Sequence, residues 1–222
     1  GAFEYQENGN GSSTIELNRT IIYLAAIYGS GSVKTDHFKI SNGGSGDLNW
    51  SLTYNTDWMT LDPLFGTNFG QVTVTVNSTG LSVGSYTGII TVSALNATNS
   101  SQTVTVNLTI KSASQDQDPF GNFDTPTNNA TVFSSIPVTG WALDDIDIGK
   151  IEIFREPVSG EGSGPIFIGE AIRVDGARPD IETAYPEYPY NYKAGWGYML
   201  LTNFLPGGGN GSFRLHAIAT DS

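Results

Sequence analysis

The chain has 222 residues, of which 38% are hydrophobic and 14% charged, and its formal net charge is −12. This length is enough for two domains of about 100 residues each. The absence of cysteine excludes disulfides, thiolate nucleophiles and cysteine-based zinc sites, and no apolar run approaches the roughly 18 residues that span a membrane.

The negative charge lies mainly in the second half of the chain. Residues 1–112 contain four Lys and Arg against seven Asp and Glu, whereas residues 113–222 contain six against fifteen. A domain as acidic as the second half is expected to repel nucleic acid and anionic lipid. It would suit cations or neutral ligands instead.

The first half of the chain has the alternation of an all-β domain. Residues 1–13 are polar and predict a flexible lead-in, and residues 14–112 predict a β-sandwich. Trp50 alternates with polar neighbours between Leu48 and Leu52, so its side chain is predicted to face the core. The strand-like runs are 14–17, 21–27, 34–41, 48–54, 71–77, 84–94 and 101–110. Tyr86 is predicted to form a tyrosine corner, with its hydroxyl bonded to nearby backbone.

A polar linker, 113–118, precedes a second predicted β-sandwich at 119–222. One helical turn is predicted to begin after Pro179 and to stop at Pro186. The predicted strands are 121–125, 130–132, 136–143, 150–156, 166–173, 196–201 and 212–219. A seven-stranded sandwich would need one more strand, so either the chain is trimmed early or the fold closes without that strand.

Residues 14–112 resemble the BACON domain, an immunoglobulin-like module. The matching residues are Trp58-Met59-Thr60-Leu61-Asp62-Pro63, Gly66, Gly70 and the run from Gly80 to Gly88. The resemblance implies a β-sandwich of the kind that accompanies carbohydrate-active enzymes in bacteria. It implies either glycan or mucin binding or a role as a pure spacer.

Residues 119–222 resemble a bacterial immunoglobulin-like domain with the signature Gly140-Trp141-Ala142-Leu143-Asp144-Asp145, followed by Gly176–Asp180 and Gly195-Trp196. Such domains occur in tandem in large exported proteins, and no activity comes with the resemblance. The family pattern continues beyond Ser222, so the resemblance implies that this domain is trimmed at its C-terminus and that the parent protein has further domains.

The segment from Tyr185 to Tyr198 contains six aromatic residues in fourteen. Prolines stiffen it, so rings could be held ready for a sugar face. The predicted ligand-binding residues are Tyr188, Tyr190, Tyr192 and Asn191. At least two of the three tyrosines should expose a ring face. The alternative is a loop that packs its own rings over the sandwich. Trp196 is predicted to be buried in either case.

Four carboxylates are predicted to meet at one end of the second sandwich. Asp144, Asp145 and Asp147 fall in one loop, and Asp221 falls in a connection expected at the same end. Oxygen ligands of this kind suit Ca²⁺. As alternatives, Asp144 or Asp145 caps turn amides, or Arg178 forms an ion pair with one of them.

No set of residues in the sequence predicts catalysis. The two histidines, His37 and His216, lie in different domains, and neither accompanies a nucleophile motif. The two resemblances imply a secreted or cell-surface bacterial protein that binds, adheres or displays, with a glycan or another extracellular surface as partner. Membrane insertion is not expected, and no cofactor is expected besides the predicted calcium. A structural spacer is the main alternative, and a small glycan-cleaving enzyme a third.

Overall fold

The computed structural model describes residues 11–222, and the chain divides between Ser114 and Gln115 into two units. Most of the predicted lead-in lies outside the described residues. No helix within residues 11–222 is long and apolar enough to cross a membrane. Each unit is built almost entirely of β-strands, as the alternation predicts.

The first unit consists of nine strands in two sheets. A four-stranded sheet has the order β1-β3-β7-β5, and a five-stranded sheet has the order β2-β9-β8-β4-β6. The strands are β1 (Ile15–Leu17), β2 (Ile21–Ile27), β3 (Val33–Asn42), β4 (Asn49–Tyr54), β5 (Met59–Asp62), β6 (Phe65–Thr67), β7 (Gly70–Asn77), β8 (Gly84–Ser93) and β9 (Gln102–Lys111). Seven of these match predicted runs, whereas β5 and β6 were not predicted.

The apolar positions of the alternating strands form the core of the first unit. Trp50 is 2% exposed, and Leu48 and Leu52 are buried with it, which confirms the predicted orientation of β4. Gly66 and Gly70 lie directly on the Trp50 indole, because a Cβ on either glycine would lie 2.3 Å from its Cζ2 atom. The chain between β6 and β7 therefore follows the surface of one ring.

Tyr86 at the start of β8 forms the predicted tyrosine corner, since its hydroxyl donates a hydrogen bond of 2.9 Å to the carbonyl of Ser82. The neighbouring β9 pairs antiparallel with β8 but parallel with β2. Side-chain alternation does not encode the direction of pairing, so this parallel edge could not be predicted.

The second unit has seven strands and one short helix. Its sheets have the orders β10-β11-β15-β14 and β13-β12-β16. The elements are β10 (Phe120–Thr125), β11 (Ser135–Leu143), β12 (Ile148–Arg155), β13 (Ile166–Glu170), β14 (Ile172–Arg173), α1 (Pro179–Ala184), β15 (Gly195–Leu201) and β16 (Leu215–Asp221). The helix begins at Pro179, one residue before the predicted start, because proline is tolerated at the first helical position.

Two strand predictions in the second unit are wrong. Residues 130–132 form no strand, because Asn129 adopts a left-handed conformation and the Ala130 amide closes a turn onto the Thr127 carbonyl. Residues 166–173 are not one strand but two: β13 pairs with β12, and β14 pairs with β15 in the other sheet. The core between the sheets contains Trp196, which is 4% exposed, and this confirms the prediction of its burial.

Candidate functional site

The aromatic segment that the sequence singled out begins at the end of α1. Arg178 precedes the helix, and its guanidinium donates two hydrogen bonds to the Asp180 carboxylate, of 2.9 and 2.7 Å, and one to Asp124. The bonds from Arg178 lower the pKa of Asp180 to about 2. These hydrogen bonds connect the start of α1 to β10, and so fix the position from which the loop after α1 begins.

Asn191 holds this loop closed. Its side-chain amide donates to the carbonyl of Tyr185 at 3.0 Å and to that of Glu182 at 3.3 Å. Tyr190 beside it adopts a left-handed conformation and is 5% exposed. The prediction that Tyr190 exposes a ring face to a ligand is therefore wrong, and the Asn191 amide is engaged with loop backbone.

Tyr188 and Tyr192 are half-buried. Tyr188 belongs to a cluster of rings that pack edge to face at centroid distances of 5.4 to 5.8 Å: Phe120, Trp141, Tyr185 and Tyr188. The ammonium group of Lys193 lies 5.3 Å from the centroid of the Tyr192 ring. These contacts match the alternative in which the loop packs its own rings over the outer face of the sheet.

Two members of this ring cluster were not predicted. Trp141 belongs to the signature of the second domain, and Phe120 is the first residue of β10. Buried Val138, Gly140 and Ala142 alternate with Trp141 along β11, so the outward direction of the Trp141 side chain follows from its position. That alternation was the available signal.

The structure does not group the four predicted calcium ligands as metal ligands, and calcium binding itself stays a prediction. Within residues 11–222 no three His, Cys, Asp or Glu side chains are grouped so that they could hold a metal ion. Asp147 forms an ion pair of 2.9 Å with Arg173. The alternative pairing with Arg178 is also wrong, because Arg178 binds Asp124 and Asp180.

Asp144 takes the turn-capping role that was the other alternative. Its Oδ1 accepts hydrogen bonds from the amides of Ile146, at 2.7 Å, and Asp147, at 2.8 Å. The residue is 2% exposed. Burial, together with the charges of Asp221 and Asp145, raises its pKa to about 6, although the two hydrogen bonds from backbone amides lower it. A carboxyl of this kind serves to shape the loop between β11 and β12.

Exposed aromatic rings occur in the first unit, where the sequence did not predict a site. Phe65 is 76% exposed and Phe69 is 64% exposed. Phe65 precedes Gly66 and Phe69 precedes Gly70, and both glycines lie on the Trp50 indole. The two phenylalanines therefore lie in the same short segment, and both rings are exposed to solvent.

Beside Phe65 lies an outward face of hydroxyl and amide side chains, here called the polar face. Phe65 is opposite Ser51 in β4, and Ser51 is opposite Ser93 in β8; such cross-strand neighbours lie about 4.5–5.5 Å apart at Cβ. Thr67 donates a hydrogen bond of 3.0 Å to Asn49. The members of the polar face are Asn49, Ser51, Thr53, Thr91 and Ser93.

The segment that contains Phe65, Phe69, Thr91 and Ser93 is uncharged, and the nearby Asp47 accepts a hydrogen bond from Asn68. From residue 63 to residue 110 the sequence contains no Asp, Glu, Lys, Arg or His. An exposed ring beside neutral donors and acceptors can contact the apolar face and the hydroxyl groups of one small polar molecule. This uncharged run, with Phe65 and Phe69 inside it, was the sequence signal for the site.

Residues 24–111 match the family model described as the viral BACON domain. No curated protein matches the chain. The solved structures similar to it include a GH5 xyloglucanase of Bacteroides ovatus in complex with a XXXG heptasaccharide (15% identity, TM-score 0.36, covering 44% of this chain and 19% of that one).

Two further structures are similar at the same level. A PapD-like domain of human CEP192 has 14% identity and a TM-score of 0.35, and the match covers 50% of this chain and 93% of that domain. A proposed carbohydrate binding protein of Bacteroides ovatus has 12% identity and a TM-score of 0.36, with 94% of this chain and 64% of that one covered. At these values the likenesses carry no conclusion about ligand or activity. The family model supports a BACON-like domain at residues 24–111 and says nothing about the second unit.

Proposed function

We propose that this chain is a non-catalytic, carbohydrate-associated module, and that its BACON-like domain contacts a neutral glycan through Phe65 and Phe69. The observation that carries the proposal is the exposure of these two rings, 76% and 64%, inside the residues that match the family model. The proposed contact thus moves to the first unit from the Tyr185–Tyr198 segment of the second, where the rings of Tyr185 and Tyr188 pack on one another.

The chemistry of the surface supports a neutral sugar as ligand. One face of a pyranose ring is apolar and stacks on an aromatic ring, while its hydroxyl groups exchange hydrogen bonds with neutral side chains. The polar face beside Phe65 supplies hydroxyl and amide groups, and the uncharged run from 63 to 110 offers no ion pair. The run from 63 to 110 offers an anionic polysaccharide no positively charged side chain.

A setting outside the cell is part of the proposal. The resemblance of both domains implies an exported bacterial protein, whereas the matched family model is described as viral. The two differ on the source organism, and the proposed glycan contact depends on neither source. A structural spacer is the competing role, and it requires no exposed ring.

Affinity electrophoresis through gels that contain neutral polysaccharides tests the proposal. The chain should be retarded by at least one of a β-glucan, a mannan and a xylan. Phe65→Ala should abolish the retardation. Phe204→Ala removes a phenylalanine of matched exposure, 79%, from the second unit and should leave the retardation unchanged.

Three outcomes distinguish the alternatives. Absence of retardation on every neutral polysaccharide would favour the spacer. Equal effects of Phe65→Ala and Phe204→Ala would show that exposed apolar area, rather than this site, slows the chain. Loss of retardation in Tyr188→Ala but not in Phe65→Ala would return the site to the second unit.

A further inference from the structure

Two rows of outward side chains cross the five-stranded sheet of the first unit. Residues of one row lie opposite one another in neighbouring strands, so their side chains point to the same side of the sheet. The first row crosses β6, β4 and β8 and consists of Phe65, Ser51 and Ser93. The second row lies two residues away along β4 and β8, reaches β9, and consists of Thr53, Thr91 and Thr103. The polar face beside Phe65 therefore continues across four strands.

The rows are long enough for several sugars and are open at both ends. Neighbouring strands lie about 4.7–4.9 Å apart, so four strands give a length of about 14 Å. β6 is the edge strand of the sheet. At the other end, β2 begins at Ile21, which lies opposite Thr105 rather than Thr103. Within residues 11–222, no strand therefore lies beyond either end of the rows.

The hydroxyl groups of the rows are available to a ligand. Within residues 11–222, none of the following forms a hydrogen bond with another residue of the protein: Ser51, Thr53, Thr91, Ser93 and Thr103. Further along β8, by contrast, Thr87 shares a hydrogen bond of 3.2 Å with Asn107. A hydroxyl group whose partners are solvent can exchange water for the hydroxyl group of a sugar at little net cost.

The strands that carry the rows are neutral where the rows cross them. β4, β6 and β8 contain no charged residue. The charged residue of β9 is Lys111 at its last position, whereas Thr103 is its second residue. Neutral donors and acceptors match an uncharged, hydroxyl-rich chain, and they offer nothing that would favour an ionic one.

The spacing of the strands matches the repeat of an extended sugar chain. A pyranose unit in such a chain advances by nearly the distance between two neighbouring strands, about 5 Å. A chain that lies along the rows would therefore place about one sugar on each strand. Because the rows are open at both ends, the chain could continue in both directions.

We propose that the two rows bind about four consecutive sugars within a linear neutral polysaccharide, which lies across β6, β4, β8 and β9. Phe65 stacks on one sugar, and the hydroxyl groups of the rows form hydrogen bonds with the sugars that follow. This inference rests on the proposed function and names the class of ligand, which is an internal segment of an extended chain rather than a single sugar or a chain end.

Linear oligosaccharides of increasing length test the inference with the full chain. Dimers, tetramers and hexamers of glucose, mannose and xylose represent the three polymers used in the gels. In calorimetric titration the tetramer should bind about tenfold or more tighter than the dimer of the same sugar, because only the tetramer spans all four strands. The hexamer should gain no more than about threefold over the tetramer, since its additional sugars lie beyond the rows.

Thr103→Val removes the hydroxyl group at the far end of the second row and keeps the branched shape of the side chain. It should weaken binding of the tetramer by about threefold to tenfold and leave binding of the dimer, which is held near Phe65, unchanged. Thr73→Val is the matched control, because Thr73 is an exposed threonine in β7 of the other sheet. It should change neither affinity.

A hexamer with a bulky label at both ends tests whether the rows take an internal segment. It should bind as the unlabelled hexamer does, because open rows enclose neither end of the chain. Loss of binding on labelling would mean that the protein recognises a chain end, and would overturn the inference.

Failure of this inference is distinguishable from failure of the proposed function. If the gels retard the chain but dimers and tetramers bind equally, or no oligosaccharide binds, the ligand is not an extended segment on these rows. Equal effects of Thr103→Val and Thr73→Val would overturn the inference in the same way, and the contact at Phe65 would stand. Absence of retardation on every polysaccharide would remove the proposed function and this inference with it.

Discussion

At the scale of single residues, Trp50 determines how the first unit closes. Its indole is buried in β4, and Gly66 and Gly70 both lie on it. No other residue would allow the backbone so close to the ring, because a Cβ at either position would overlap Cζ2. The exposed Phe65 and Phe69 are thus held in place by a buried residue that no ligand would touch.

Trp50→Ala should lower the free energy of unfolding of the first unit by about 3–5 kcal/mol, the usual cost of deleting a large buried aromatic. Urea unfolding followed by circular dichroism measures the change. Phe65→Ala is the control, because truncation of an exposed side chain should alter stability by no more than about 0.5 kcal/mol. Similar losses in the two variants would mean that the orientation of β4 is wrong.

Asp144 makes the stability of the second unit depend on pH. Its pKa is raised to about 6 in the folded chain from an ordinary value of 3.8. A carboxyl with a raised folded pKa contributes stability that is fully present below pH 3.8 and is lost as the pH rises through about 6. At neutral pH the buried charge therefore opposes folding.

Asp144→Asn should match the parent near pH 4 and become more stable than the parent as the pH rises, by up to about 3 kcal/mol at pH 7 at 1.4 kcal/mol per unit of pKa. The amide oxygen can still accept from Ile146 and Asp147. Asp175→Asn makes the same charge change at an exposed position and should show no such trend. Unfolding free energies from pH 4 to pH 7.5 provide the test, and parallel curves for the parent and Asp144→Asn would contradict it.

At the scale of elements, two side-chain hydrogen bonds determine the shape of the loop after α1. Asn191 bonds two backbone carbonyls across six and nine residues, and the rings of Tyr185 and Tyr188 then meet Phe120 and Trp141. The loop is a cover for the outer face of one sheet.

Asn191→Ala should destabilise the second unit by roughly 1–3 kcal/mol, since each of two hydrogen bonds contributes about 0.5–1.5 kcal/mol. Thermal unfolding measures the loss, and Asn203→Ala, at an exposed position, is the control. Retardation on neutral polysaccharide should be unchanged in both variants. A loss of retardation in Asn191→Ala would restore this loop as the binding site.

Long alternating strands could be predicted from the sequence, and short or irregular segments could not. Residues 71–77 were predicted to within one residue of β7, because Val72, Val74 and Val76 alternate with polar residues. β6 has three residues, too few for a period, so Phe65 was not identified as an exposed ring. Tyr190 was assigned to the surface because its loop lacks strand alternation, yet burial in a loop depends on side-chain contacts that periodicity does not encode.

At the scale of the whole molecule, charge is distributed unevenly between the two units. The stretch from 63 to 110 is uncharged, whereas residues 115–222 have a net charge of −9. Contacts between neutral groups do not respond to ionic screening, but attraction between a basic segment and an acidic unit does. Salt therefore distinguishes a contact at Phe65 from electrostatic attraction to the acidic second unit.

Raising sodium chloride from about 0.1 M to about 1 M shortens the screening length from roughly 10 Å to roughly 3 Å. Retardation on a neutral polysaccharide should stay constant across this range, because no charged side chain lies in the run that contains Phe65 and Phe69. A steep loss of polysaccharide retardation with salt would mean that charged residues outside 63–110 make the contact, and would remove the two phenylalanines from the site.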